Sequence, residues 1–530
     1  MLLASSLAST APFPSICFAL VVVASVLMRT TTSYAAERDD TETVLARIRK
    51  AIGYAALEAQ QRGVLVDGVA NYESLQGPYT LLFDARGRFI QKIRLSREQI
   101  VAFDGTTAWG VDWSGTPRVL ELNDLETVQT EMWVRTGRWL ADDGPFQIAI
   151  QEASGDASVL QLRLKLKRGI REMDLFVDRS TWLPTRLTAR YLGTTETWEF
   201  GDYRAQLGMT LALRTLHRFG STADSYEVRA VRPAPPAIDD PFKPVLDRPR
   251  DTEFRSSGPA RFEVKQAAGG HLFVRPKVNG VDVGWFALDT GTGAGMTISP
   301  AVADRLGMPA FGQVVQGGAG KLGLGKLHQG KTFELGSITI HDSVYVELPQ
   351  AFCDMMKKLF GLEMVGTCGY DLFSRAVVEL DLKELTASCH EPTGYTLPGG
   401  TWQELVLNRK IPCVHSTFEG AREALFQFDT GAGANIVFHA PAVEKLKLLE
   451  HRKTTPIKVG GVGGAMDARY GQLEWFEVGG KRLPKPTAIF LAPHEGALDD
   501  PYVAGTFGAG ILKGMKIVFD YPHRRIAFGS

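Results

Sequence analysis

Trp285-Phe286-Ala287-Leu288-Asp289-Thr290-Gly291 and Leu425-Phe426-Gln427-Phe428-Asp429-Thr430-Gly431 decide the reading of this chain. Each is an apolar strand run that ends on the same polar triplet and passes into a Gly/Ala-rich stretch. One Asp-Thr-Gly is a weak signal, since short motifs of common residues recur by chance. Two that enter the same downstream pattern form a repeat. Gly366-Thr367-Cys368-Gly369 begins 77 positions after Asp289, and Gly505-Thr506-Phe507-Gly508 begins 76 after Asp429. Beyond them Leu372-Phe373 matches Ile511-Leu512, Val378 matches Ile517, and Leu380-Asp381 matches Phe519-Asp520. Pro300-Ala301-Val302 likewise matches Pro441-Ala442-Val443. The period of about 140 residues is too long for a solenoid unit and fits two homologous lobes.

Each lobe opens on a strand pair. Leu272 to Val278 and Val281 to Leu288 flank Asn279-Gly280, a strong hairpin signal, and Ile411 to Phe418 and Ala424 to Phe428 flank Glu419-Gly420. Between its Asp triplet and its later glycines each lobe carries a glycine cluster, at Gly317 to Gly325 and at Gly460 to Gly464. Hairpins so poor in side chains suit a mobile cover over a cleft.

Two aspartates on facing lobes have a chemical purpose. Water is a poor nucleophile and an amide carbonyl a poor electrophile. An ionised carboxylate can take the water's proton while a protonated neighbour polarises the carbonyl oxygen. Two carboxyls about 3 Å apart resist double ionisation and so keep one proton between them. Glycine after Asp-Thr lets the two backbones approach closely. Thr292 follows the first triplet and Ala432 the second. A Thr292 hydroxyl donating to Asp289 would favour the charged form there and leave the shared proton on Asp429.

On these residues the two lobes resemble the pepsin and retropepsin superfamily of aspartic proteases, most of all its bacterial members with retroviral-type motifs. The resemblance covers roughly half the chain. It implies a mainly β, bilobal double-barrel domain with Asp289 and Asp429 as the catalytic pair. Thr290, Gly291, Thr292, Thr430 and Gly431 would then support the dyad, with Thr290 and Thr430 locking the loops together. Met364-Val365-Gly366 and Val503-Ala504-Gly505 match the family's hydrophobic-hydrophobic-Gly elements, in which Gly366 and Gly505 pass behind the Asp loops. The resemblance implies a peptide or protein substrate and no metal or organic cofactor. Pepsin-type covers carry a tyrosine over the site; neither glycine cluster has one, and Tyr470 is the nearest substitute.

Before the lobes lies a different region. Val44, Leu45, Ile48 and Ile52 predict a helix over 41–60. From Gly63 to Val231 strand runs alternate with turn signals, as in Tyr79 to Phe83, Phe89 to Leu95, Val159 to Lys165 and Glu227 to Val231. One helix and many antiparallel strands predict a curved open sheet wrapped on that helix, an α+β antiparallel domain. It is similar to the half-barrel of periplasmic lipoprotein carriers in its opening helix, in Phe103-Asp104-Gly105-Thr106-Thr107-Ala108-Trp109, and in Asp178 to Arg186. That resemblance implies an apolar or lipid ligand on the concave face. Six prolines from Pro233 to Pro249 then predict an extended spacer. The expected organisation is a signal peptide at 1–36, the antiparallel domain at 37–232, a Pro-rich linker at 233–258, and lobes at 259–398 and 399–530.

Lys plus Arg equals Asp plus Glu at 59 each, so no net field draws the chain to nucleic acid. The apolar run Ile16 to Met28, followed by Ser33-Tyr34-Ala35-Ala36, predicts export to the periplasm or beyond, although residues 2–15 lack Lys and Arg. An uncleaved anchor is the alternative. Cys353, Cys368, Cys389 and Cys413 lack metal-ligand spacing and leave two disulfides or four buried thiols open. Gly318 to Gly323 mimics a dinucleotide loop and Gly320 to Leu327 a P-loop, but neither has a strand–helix context. Asp381 and Asp520 end apolar strands and read as turn residues. With both lobes in one chain, a monomer suffices. The expected function is an aspartic endopeptidase; the alternative is an envelope protein that binds peptide, lipid or lipoprotein with the same folds.

Overall fold

The computed structural model describes residues 40–151, 156–236, 239–255, 261–318, 321–433, 435–461, 463–494 and 496–529. The expected signal peptide lies outside them. Residues 41–530 form one unit.

The N-terminal region is one 13-stranded antiparallel sheet. Its first strand, Val64–Tyr72, pairs with its last, Thr222–Pro233, and so closes the meander in mid-sheet. Buried and exposed residues alternate along Val159–Leu166 and Glu172–Asp178, the period-two pattern of a sheet with one covered face. The cover is helical: Val44, Leu45 and Ile48 of Thr41–Ile52, and Met132 and Val134 of Leu122–Arg135, pack with Leu162, Leu175, Leu187 and Trp198. The expected single helix over 41–60 is two, Thr41–Ile52 and Tyr54–Ala59, because Gly53 takes φ 72° between them. Under these helices lies an apolar cavity lined by Leu57, Val66, Leu81, Phe83, Phe200 and Leu211. The volume open to a water-sized molecule is about 80 Å³.

The proline-rich segment is extended but is not a free spacer. Phe242 is buried against Trp109 and Ile90, and Thr252–Phe254 adds a strand to Ile338–His341. Asp251 pairs with Arg375 at 2.7 Å. Apolar anchors and one enclosed ion pair outweigh what proline composition alone predicts.

The two lobes repeat one arrangement. In the first, Met364–Cys368 lies between Trp285–Leu288, parallel to it, and Met296–Ile298, antiparallel to it. In the second, Gly505–Gly508 lies in the same way between Arg422–Asp429 and Ile436–Phe438. The chain before each Asp and the chain after it are thus pinned by one strand between them. A Cβ at Gly366 would lie 2.5 Å from Phe286 Cζ, so that strand runs too close for a side chain. Gly505 stands against Phe426 in the same manner. Below, a six-stranded sheet draws Val377–Asp381 from lobe one beside Lys516–Asp520 from lobe two, and one apolar core runs through both lobes.

The half-barrel docks on this bilobal body. Asp112 pairs with Lys410 at 2.8 Å, Arg190 with Asp499 at 2.9 Å, and the Tyr502 hydroxyl donates to Glu126 at 2.8 Å. Among the described residues Cys353, Cys368, Cys389 and Cys413 are buried free thiols.

Candidate active site

The Asp triplets sit where the two central strands end, and four hydrogen bonds lock them together. Thr290 N–H donates to Thr430 Oγ1 at 3.0 Å, and Thr430 N–H donates to Thr290 Oγ1 at 2.9 Å. The Thr290 hydroxyl donates to the Phe428 carbonyl at 2.7 Å, and that of Thr430 to the Leu288 carbonyl at 2.6 Å. Both threonines are buried. Such bonds are each worth about 0.5–1.5 kcal/mol net, but stranding a buried partner costs about 1–3 kcal/mol. A threonine here is therefore hard to replace.

The lock brings each glycine under the opposite acid. A Cβ at Gly291 would lie 2.5 Å from both carboxylate oxygens of Asp429. One at Gly431 would lie 2.7 and 2.8 Å from those of Asp289. Removal from water is the largest influence on the Asp429 carboxyl and holds it well above the usual carboxylate range. The Asp289 charge and a hydrogen bond shared with Asp289 raise it further, against the backbone N–H groups of Gly431 and Gly291. Gly431 N–H donates to Asp429 Oδ1 at 2.7 Å. Asp289 Oδ1 is buried without a hydrogen-bond partner.

Thr292 does not act as its sequence position suggests. Its N–H donates to the Asp289 backbone carbonyl at 3.1 Å, and its hydroxyl makes no hydrogen bond to the Asp289 carboxylate among the described residues. What raises the Asp429 carboxyl is its desolvation beside a second acid rather than this hydroxyl. Tyr470 does not cover the pair: it pairs with Thr455 at the base of its hairpin and is 42% exposed. Asp381 and Asp520 accept backbone N–H groups two or three residues on, as turn residues do.

Three neighbours carry no sequence signal of their own. Tyr521 is buried below the pair with its hydroxyl unpartnered, within the fields of both acids. The repeat sets it opposite Leu382, a difference that could have marked it. Gly433 lies against His271, whose Nδ1 would be 3.1 Å from a Cβ there. In the mirror position Gly293 lies against the Arg409 backbone carbonyl, as Gly433 also does against that of Gly269, which only the assembled lobes reveal. No group of His, Cys, Asp and Glu among the described residues is arranged to hold a metal.

Residues 274–363 and 414–511 match the family model described as aspartyl protease. The two lobes form an aspartyl protease domain. Both Asp-Thr-Gly triplets fall inside the matched segments. Among solved structures the chain is similar to a LolA superfamily protein from Nitrosomonas europaea, at 14% identity over 37% of this chain and 94% of that one, TM-score 0.28. It is also similar to conglutin gamma, a basic 7S globulin from lupine seeds, at 12% identity over 52% and 95%, TM-score 0.32. Basic 7S globulin from soybean is similar at 10% identity over 51% and 94%, TM-score 0.31. No curated protein matches the sequence. The half-barrel lies outside the residues matched to the aspartyl protease domain.

Proposed function

We propose that the chain is an aspartic endopeptidase, exported on the strength of its N-terminal apolar run, with Asp289 and Asp429 sharing the work. The observation that carries this reading is the cross-lobe lock, which sets two carboxyls in one field with a hydrogen bond between them. Asp429 holds the proton, so Asp289 serves as base. A water between them loses a proton to Asp289 as its oxygen attacks the peptide carbonyl carbon. Asp429 gives its proton to the carbonyl oxygen, and a neutral gem-diol forms. In the reverse transfers Asp289 protonates the leaving nitrogen, Asp429 recovers its proton from a diol hydroxyl, and the C–N bond breaks. No cofactor enters these steps.

A peptide-library digest tests the reading. Asp289→Asn and Asp429→Asn should each lower cleavage by at least about a thousandfold, since neither acid can be spared. Cleavage that survives either substitution sinks the proposal. The half-barrel cavity favours a second, separate reading, an apolar or lipid ligand bound under the helices. Native mass spectrometry of the intact chain tests it, and a ligand-free spectrum after mixing with lipid vesicles would exclude it.

A further inference from the structure

The glycine-tipped hairpins of the two lobes differ in what lies outside them. In lobe one, Ala310–Gln316 pairs with Gly323–Gln329, and every residue from Phe311 to Gln316 is half-buried. In lobe two, Thr455–Gly461 pairs with Gly464–Gln472, and most of Thr455–Gly461 is exposed. The difference comes from the half-barrel. Gln313 N–H donates to the Glu73 carbonyl at 3.1 Å, and the Phe311 ring meets Trp113 edge-on at 5.5 Å. Trp113 shares one apolar cluster with Leu75, Leu95, Val314 and Leu327.

Nearer the tip a second set of contacts closes on the same hairpin. A Cβ at Gly317 would lie 3.1 Å from Leu192 Cδ1 of the half-barrel. The Leu192 carbonyl accepts from Gly496 N–H at 2.9 Å, and Ala497 N–H donates to the Gly318 carbonyl at 2.8 Å. Half-barrel turn, first hairpin and a lobe-two loop thus meet at one point. Among the described residues the side-chain bonds of the second hairpin run within its own lobe, with Lys458 on Asp467 and Arg469 on Thr454. Its tip meets the first hairpin where Lys321 N–H donates to the Gly463 carbonyl at 3.0 Å.

We propose that the half-barrel clamps the first hairpin, so that the groove over the two aspartates opens through the second hairpin alone. Lifting the first hairpin would expose the Trp113 cluster and break bonds to two other segments. Lifting the second breaks its tip contact and disturbs, within its own lobe, the packing of Met466 and Ala468 on Ile489 and Leu491. Resting on the endopeptidase reading, this makes the groove admit substrate from the lobe-two side. The clamp itself needs no chemistry to be seen.

Hydrogen–deuterium exchange on the full chain tests it. Residues 455–461 and 464–472 should exchange at least about tenfold faster than 310–318 and 323–329. Leu192→Asn keeps the left-handed turn at φ 48° and removes the apolar contact, since asparagine tolerates that conformation. Leu75→Ala removes the side chain whose Cδ1 would lie 3.2 Å from a Cβ at Gly312 of the first hairpin. Each should bring 310–318 toward the faster rate. Equal exchange of the two hairpins in the unaltered chain overturns the clamp. So does protection of 310–318 that both substitutions leave unchanged. These outcomes stand whether or not the chain cleaves peptides, so failure of the clamp is distinct from failure of the endopeptidase reading.

Discussion

The two lobes present the same loop to one groove and set it against different surroundings. Thr290 and Thr430 exchange matched bonds, and Gly291 and Gly431 each lie under the opposite acid. One step outward the backbone still matches, since a Cβ at Gly293 would lie 2.4 Å from the Arg409 carbonyl and one at Gly433 2.4 Å from the Gly269 carbonyl, but the side chains around them differ. Beside Gly293, the Arg409 side chain pairs with Asp500 at 2.9 Å and donates to the Ala497 carbonyl at 2.6 Å. Gly433 packs on His271, which leans on Phe360 at 4.5 Å and leaves Nδ1 unpartnered. Contacts that dyad geometry demands are symmetric. Contacts beyond it follow the half-barrel, which lies on the Arg409 side through Asn123 and Asn408.

The sharpest break would come at the glycines. Gly291→Ala and Gly431→Ala should each lower peptide cleavage by about a hundredfold or more through displaced acids. Each should also cost about 1–3 kcal/mol from overpacking, read by denaturant unfolding. A large loss at one glycine and none at the other would end the symmetry argument. One step out the lobes should part company. Arg409→Ala takes the ion-pair partner from Asp500, which is fully buried and would keep only Asn408 and the Tyr502 N–H, and should cost about 3–5 kcal/mol. His271→Ala removes a half-buried ring with no ion pair and should cost about 1 kcal/mol. Equal losses would show that the half-barrel side carries no extra load.

Two pH profiles sharpen the contrast further. The Asp429 carboxyl is raised from its usual 3.8 by burial and then by Asp289. Its contribution to stability is present in full below 3.8 and is lost as pH rises through the raised value, because the unfolded chain gives up the proton first. Cleavage should fall over the same rise, and Asp429→Asn should flatten the unfolding profile there. A smaller effect belongs to Glu73 in the clamp. Desolvation beside Trp113, then Asp224 and Asp112, pushes it from 4.5 to about 8, against hydrogen bonds from Trp113 and Tyr72. Asp112 is itself paired with Lys410. The seat of Glu73 against the first hairpin should therefore loosen as pH rises from 4.5 to about 8. Exchange at 310–318 should quicken across that window and Glu73→Gln should remove the change, while 455–461 stays indifferent.

How much of this was legible beforehand follows from where each constraint acts. The Asp-Thr-Gly triplets announce themselves because carboxyl, hydroxyl and absent side chain are each needed at fixed offsets. Asn279 and Gly280, at φ 53° and 78°, show their turn in sequence for the same local reason. Thr292 misled because a hydroxyl next to an acid in sequence need not point at it. His271 and Arg409 stayed hidden, since each meets a glycine of the other lobe more than a hundred positions away.

The repeat by itself determined two lobes, a facing pair of acids and the residues that brace them, because backbone approach and proton sharing leave few alternatives. Only tertiary structure decided that burial raises the Asp429 carboxyl, that the thiols stay free, and that one hairpin is covered while its twin is not. Those outcomes depend on surfaces that meet from distant parts of the chain, and burial of that kind has no signature in local order.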